Sequence, residues 1–239
     1  MVKKKTNPLN KRFLRELKSE AGKYIVLFVF IAGVIALVSG FLVASGSMSQ
    51  AYDESFEKYN IEDGNFEVKR EASSGLLDAL QKDGTKIYPN FYKEEQTKNV
   101  ESTLRIFKKR TEIDLECLME GSFPEDENEI AIDRMYADNN SLKIGDTLDD
   151  GTKSWTITGL VALSDYSCLF QNNNDSMFDA VKFGVGVVTD EEFDSLDQDK
   201  LQYNYAWTYN EKPQTELEEK NVSEDLMKAM GKVVTLENF

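Results

Sequence analysis

Histidine is absent from all 239 residues. That removes the ordinary Ser-His-Asp triads, the zincin motifs and most zinc sites at once. Cysteine is scarce, with Cys117 and Cys168 the two in the chain. No D-x-[DN]-x-[DN]-G run is present to form a calcium loop. Two partial motifs also fail. Ser55 and Lys58 have the Ser-x-x-Lys spacing of penicillin-interacting enzymes, but no Lys-Thr-Gly accompanies them and the pair falls on a helical stretch. "GDTLDDGTKS" sets Gly145 and Gly151 one residue too far apart for a phosphate-binding loop. There is no internal repeat, and "QNNND" at 171–175 reads as a surface loop. Carboxylates are abundant, yet no spacing singles out an acid–base pair. The chain therefore reads as a non-enzyme, with no catalytic, cofactor-binding or metal-binding residue assigned.

What the chain does have is one uncharged run, "YIVLFVFIAGVIALVSGFLVA", from Tyr24 to Ala44. At 1.5 Å per residue a helix of that length reaches about 31 Å, close to the hydrocarbon thickness of a bilayer. The apolar core of a signal peptide is shorter, although "VASGS" has the small residues of a cleavage site. The run is expected to be a transmembrane helix. Residues 1–23 carry eight basic and two acidic residues, a net +6, so the total of −15 leaves −21 on the remainder. The positive-inside rule then puts the N-terminus in the cytoplasm and the main domain outside, at the plasma membrane. A strongly acidic exterior repels phosphates and excludes nucleic acid as a partner.

Within the run, Ala32, Ala36, Gly40 and Ala44 recur at every fourth position. Such a small-residue stripe lets a second helix approach closely, and packing drives association in lipid; chance alignment of common membrane residues is the alternative. Before the run, Leu9, Phe13, Leu14 and Leu17 share one side of a basic stretch, as in an interfacial amphipathic helix or, alternatively, an unstructured topogenic tail. After it, Met48, Tyr52, Phe56 and Tyr59 keep three-to-four spacing, which predicts that the helix continues as a stalk over 45–63 and ends near Gly64.

Residues 64–239 read as an α+β domain, single or in two small lobes. "NFEVK" alternates, and "SSGLLDALQKDG" has a Ser cap, a Leu stripe and a Gly stop. Strand-like alternation is read in Ile113/Leu115/Cys117, in Trp155 to Leu163, in Val181 to Val187 and in Tyr203 to Tyr209. "DEEFDSL" and "TELEEKNVSEDLMKAM" read as helices. Cys117 and Cys168 would share an oxidising space, where a disulfide closing their loop would contribute roughly 4 kcal/mol. The phase of Cys117 with Ile113 and Leu115 suits a small buried apolar residue equally well.

The stretch "LMEGSFPEDENEIAIDRMYADNNSLKIGDTLDDGTKSWTITGLVALSDY" contains a Gly121-to-Pro124 turn, an Asn128–Ile132 strand, a short helix with Ala137, a Leu142–Thr147 turn and a strand through Ile157–Leu160. In this order the pieces resemble the extracytoplasmic core domain of MacB-type, FtsX-like ABC transporter permeases, as does the N-terminal order of basic segment, membrane helix and stalk. The resemblance implies a permease component that couples ATP hydrolysis by a cytoplasmic ABC ATPase subunit to motion of the exterior domain, for export or mechanotransmission. It also implies partner helices, from other permease spans or a second permease copy, for the Ala32–Ala44 stripe. Permeases of this type carry at least three further membrane helices after the exterior domain, and this sequence shows none, so it reads as a fragment or a reduced member. The competing reading is a single-pass, membrane-anchored binding module or sensor with no ATPase partner.

Overall fold

The structure, a computed structural model, describes residues 12, 15, 16, 18–81, 84–172 and 174–237. The chain divides into two units, one up to Glu54 and one from Ser55 onward. Helix α1 runs unbroken over Ala21–Lys58, 38 residues and about 57 Å at the standard rise. No proline interrupts it, the apolar run Tyr24–Ala44 is exposed all round, and none of its residues is fully buried. It is long and apolar enough to cross a membrane.

The second unit is a mixed α/β domain around ten strands among the described residues. In chain order these are β1 (Gly64–Val68), α2 (Ser74–Gln81), β2 (Thr85–Pro89), β3 (Tyr92–Thr97), β4 (Ser102–Lys108), β5 (Cys117–Gly121), β6 (Glu129–Asp133), α3 (Arg134–Asn139), β7 (Thr147–Asp149), β8 (Ser154–Ala162), β9 (Phe183–Val188), α4 (Asp190–Ser195), β10 (Leu201–Tyr209) and α5 (Glu216–Glu237). The sheet order is β1-β10-β3-β4-β9-β6-β8-β5, with β2 also on β10 and β7 also on β8. The β4–β9 and β6–β8 pairs are parallel; the others are antiparallel. The α+β class expected from the sequence is the class observed.

Strand β10 joins two hydrophobic clusters. Its first residues, Leu201 and Gln202, pair with β3. From Tyr203 onward it pairs with β1 and β2. There Trp207 packs with Leu76 and Leu80 of α2 and Leu226 of α5. The larger cluster lies along β4, β6, β8 and β9 and includes Ile106, Ile132, Trp155 and Val187, each essentially inaccessible to water. Two glycines mark a close approach. Gly121, at φ +77°, pairs across the β5–β8 ladder with Gly159, and a Cβ on either would collide with the backbone opposite, at Thr158 and Ser122.

Several expectations change in detail. α1 ends at Lys58 rather than near Gly64, because Asn60 takes the left-handed conformation at φ +45° that closes a helix. The Ile113/Leu115/Cys117 segment is a strand from Cys117 only; Ile113 to Glu116 is irregular and buries Asp114 and Glu116 as well as Ile113. Strands β3 and β4, central to the sheet, have no regular apolar alternation. β3 buries Lys93 and Glu95, and β4 buries Leu104, Arg105, Ile106 and Phe107 in succession, as a strand covered on both faces does.

Candidate functional site at the base of the long helix

The end of α1 is closed by a Schellman pattern. Ile61 N–H donates to Phe56 C=O at 3.1 Å and Asn60 N–H to Glu57 C=O at 3.4 Å, with Asn60 supplying the left-handed residue. Asparagine is suited to this position because it tolerates positive φ and its amide can bond locally. Here that amide donates to Glu112 C=O.

The next residues run alongside the 112–117 segment. Leu115 N–H donates to Tyr59 C=O at 2.8 Å, and Asp114 N–H to Asn60 C=O at 3.0 Å. Tyr59 Oη donates to Cys117 Sγ at 2.9 Å, and Glu62 N–H donates to Asp114 Oδ1 at 2.9 Å. Irregular backbone needs such partners when it leaves water. The base of α1 is therefore joined to the domain through both main chain and side chains.

Behind this junction lies a buried ionic cluster. Arg110 donates through Nη1 to Asp165 Oδ1 at 2.9 Å and through Nη2 to Asp165 Oδ2 at 2.7 Å, a bidentate pair. Nη1 also donates to Asp114 C=O at 3.0 Å, and the guanidinium lies 4.4 Å from the Phe107 ring centroid. Glu116 Oε1 accepts from Arg110 N–H at 3.1 Å. Three carboxyls, those of Asp165, Glu116 and Asp114, thus act on one guanidinium, and Glu62 adjoins Asp114. Burial works against the Arg110 charge, but Asp165, Glu116 and Asp114 outweigh it and raise its pKa. Burial pushes Glu62 up to about 8, helped by the charge of Asp114. It pushes Asp114 up to about 6, helped by Asp165, and raises Glu116 as well. Glu62 Oε1 accepts from Asn65 Nδ2 at 2.5 Å, whereas Glu62 Oε2 and Asp114 Oδ2 are buried with no donor.

Two clefts adjoin the Arg110–Asp165 pair, one at each residue. One, of about 370 Å³, is lined by Arg110 together with Tyr88, Phe91, Lys108, Lys109 and Ile113. The other, of about 290 Å³, is lined by Asp165 together with Asn65, Glu67, Tyr92, Arg105 and Asp175. Among the described residues no group of three His, Cys, Asp or Glu side chains is arranged to hold a metal ion.

The residues singled out by sequence fall in different places. Ala32, Ala36, Gly40 and Ala44 lie exposed along α1, and a Cβ added at Gly40 would meet nothing within 4 Å. Met48 and Tyr52 are exposed; Phe56 and Tyr59, in the second unit, are half-buried. Leu9, Phe13, Leu14 and Leu17 lie outside the described residues. The candidate disulfide is not formed: Cys117 and Cys168 are free, the first bonded to Tyr59 and close to Met119 Sδ, the second exposed. Sequence reasoning missed Arg110, Asp114, Glu116 and Asp165. The signal available was that "EIDLE" alternates equally well in either phase, so its acidic residues had the same claim to the interior as its apolar ones.

No family model and no curated protein matches the sequence. Among solved structures, the chain is similar to the crystal structure of the extracellular domain of the noncanonic ABC-type transporter YknZ from Gram-positive bacteria. The identity is 10% and the TM-score 0.35, over 66% of this chain and 88% of that one. A likeness at that TM-score carries no conclusion about the chemistry of this chain.

Proposed function

We propose that this chain is a membrane-spanning component of an ABC transporter, its N-terminus cytoplasmic and its domain extracytoplasmic. In this reading α1 carries motion, driven by ATP hydrolysis in a partner subunit, to the domain for export or mechanotransmission. The stripe at Ala32, Ala36, Gly40 and Ala44 packs against other permease helices or a second permease copy. No catalysis is assigned to the chain itself.

The observation that carries the reading is the continuity of α1 through Lys58 into Tyr59–Glu62, which are bonded to the 112–117 segment. A pull on the helix end must act on that segment, and through Arg110 on Asp165. The Gly121 turn, β6, α3, the Gly145 turn and β8 are the elements on which the resemblance noted in the sequence rests. The two clefts adjoining Arg110–Asp165 favour, as a second reading, an anchored binding module.

Photo-crosslinking from position 36 of the full chain in native membranes tests the choice. Recovery of other permease helices together with an ATPase subunit is the expected result. Crosslinks to copies of this chain alone, with no ATPase recovered, would favour the anchored module.

A further inference from the structure

Buried carboxylate oxygens without donors call for an explanation, since leaving an anionic oxygen dry and unpaired costs several kcal/mol. Glu62 Oε2 and Asp114 Oδ2 are both in this condition, and Asp114 is fully buried. The two residues are neighbours, Glu62 N–H donating to Asp114 Oδ1 at 2.9 Å, and no donor reaches either of the unpaired oxygens. One proton held between the two carboxyls would account for both.

We propose that Glu62 and Asp114 form a proton-operated latch, in which one shared proton holds residues 59–62 against the 112–117 segment at the base of α1. The groups facing the pair come from three sides. Asn65 donates to Glu62. Arg110 and Glu116 approach from the segment after β4, and Arg110 is committed to Asp165. Ser164 Oγ, at 3.5 Å from Asp114 Oδ1, and Asp165 approach from the turn after β8. Both terminal nitrogens of Arg110 are taken by Asp165 and by Asp114 C=O, and its Nε is buried without a partner. When the shared proton leaves for solvent, two anionic carboxylates, Asp114 fully buried and Glu62 half-buried, face each other beside Asp165. The bond between their side chains is lost, and Glu62 N–H to Asp114 Oδ1 is strained by the repulsion.

The sign follows from proton binding. Glu62, normally near 4.5 and here about 8, keeps a proton in the closed state that it would lose in water. Closure is fully supported below about pH 4.5 and weakens as pH rises, with the support gone above about 8. The latch concerns the base of α1 and holds whether the helix serves a transporter or an anchored module.

The test is amide hydrogen exchange on the full chain in lipid nanodiscs, followed at Glu62, Asp114 and Leu115 and corrected for intrinsic rates. Between about pH 5.5 and about pH 8.5, protection at these amides should fall at least about tenfold, the equivalent of one pKa unit. In Glu62→Gln, whose amide donates to Asp114 without titrating, protection should change little over the same range. Protection that is independent of pH in the unmodified chain, or equally pH-dependent in Glu62→Gln, would overturn the proposal. Should the variant fail to fold, infrared titration of the unmodified chain decides the matter: a protonated-carboxyl band that disappears near about pH 8 supports the latch, and its absence contradicts it.

Discussion

Arg110 grips Asp165 with both terminal guanidinium nitrogens, at 2.9 and 2.7 Å, while the two side chains are only 5% and 8% exposed. The pair joins the segment that receives the base of α1 to the turn after β8. Because its charges are desolvated, removing one partner strands the other.

Arg110→Ala should therefore cost about 3–5 kcal/mol of domain stability, leaving Asp165, Glu116 and Asp114 without their cation. Asp165→Asn, which keeps a hydrogen-bond acceptor, should cost less. Urea unfolding of the detergent-solubilised chain, followed by Trp155 and Trp207 fluorescence, provides the comparison. Equal and small losses in both variants would show that the pair adds little.

Asn60 closes α1 at φ +45° and bonds to Glu112 C=O. Asn60→Ala meets the left-handed penalty of about 1–2 kcal/mol and also loses the amide bond. Asn60→Gly loses only the bond. Unfolding midpoints should rank Asn60 above Gly and Gly above Ala, and a reversed order for the two variants would contradict the cap.

Gly184 on β9 lies against the ring of Tyr136, and a Cβ there would overlap that ring. Tyr136 cannot give way easily, because its hydroxyl shares a hydrogen bond with Ser102 Oγ at 2.6 Å inside the core. Gly184→Val should destabilise the domain by about 2–3 kcal/mol through overpacking. Gly231→Val, where a Cβ meets nothing within 4 Å, should cost less than about 1 kcal/mol as the helical control.

Cys117 and Cys168 are both free. Thiol titration of the unreduced protein should count two, with Cys168 modified first and Cys117 slowed by its half-buried position beside Tyr59. A chain with no titratable thiol before reduction would restore the disulfide.

Much of this fold is legible where side chains alternate against one covered face. Phe66 and Val68, Trp155 and Ile157, and Tyr205 and Trp207 mark β1, β8 and β10 for that reason, and the Ser73 hydroxyl at 3.2 Å from Leu76 N–H marks the start of α2. β4 escapes the same test because both its faces are covered. β3 escapes because its charged residues are satisfied internally. Lys93 donates to Phe193 C=O at 2.8 Å and Leu196 C=O at 2.9 Å, and Glu95 accepts from Lys200 at 2.6 Å. The cluster at the base of α1 was hidden for a related reason. Glu62, Arg110, Asp114 and Asp165 are brought together from distant parts of the chain, and in sequence each looks like one more charge on a solvated surface.

The role of the small-residue stripe can be separated from the role of the junction. Ala36→Leu and Gly40→Leu place bulk on an exposed face of α1 and leave the domain untouched. Both should reach the membrane at normal levels with unchanged domain unfolding, yet lose transport function, and Gly40→Leu should also lose the crosslinks from position 36. Retained function at normal levels would remove the stripe from the mechanism.

The most direct measurement is amide exchange at Asp114 and Leu115 of the full chain, isolated from native membranes together with any ATPase subunit that copurifies, with and without nucleotide. Their N–H groups are bonded to the first residues after α1, so motion carried by the helix acts on them directly. A change in protection on adding ATP, abolished by Gly40→Leu, is the result this account predicts. Isolation without any ATPase, or protection at these two amides that ignores nucleotide, would contradict it.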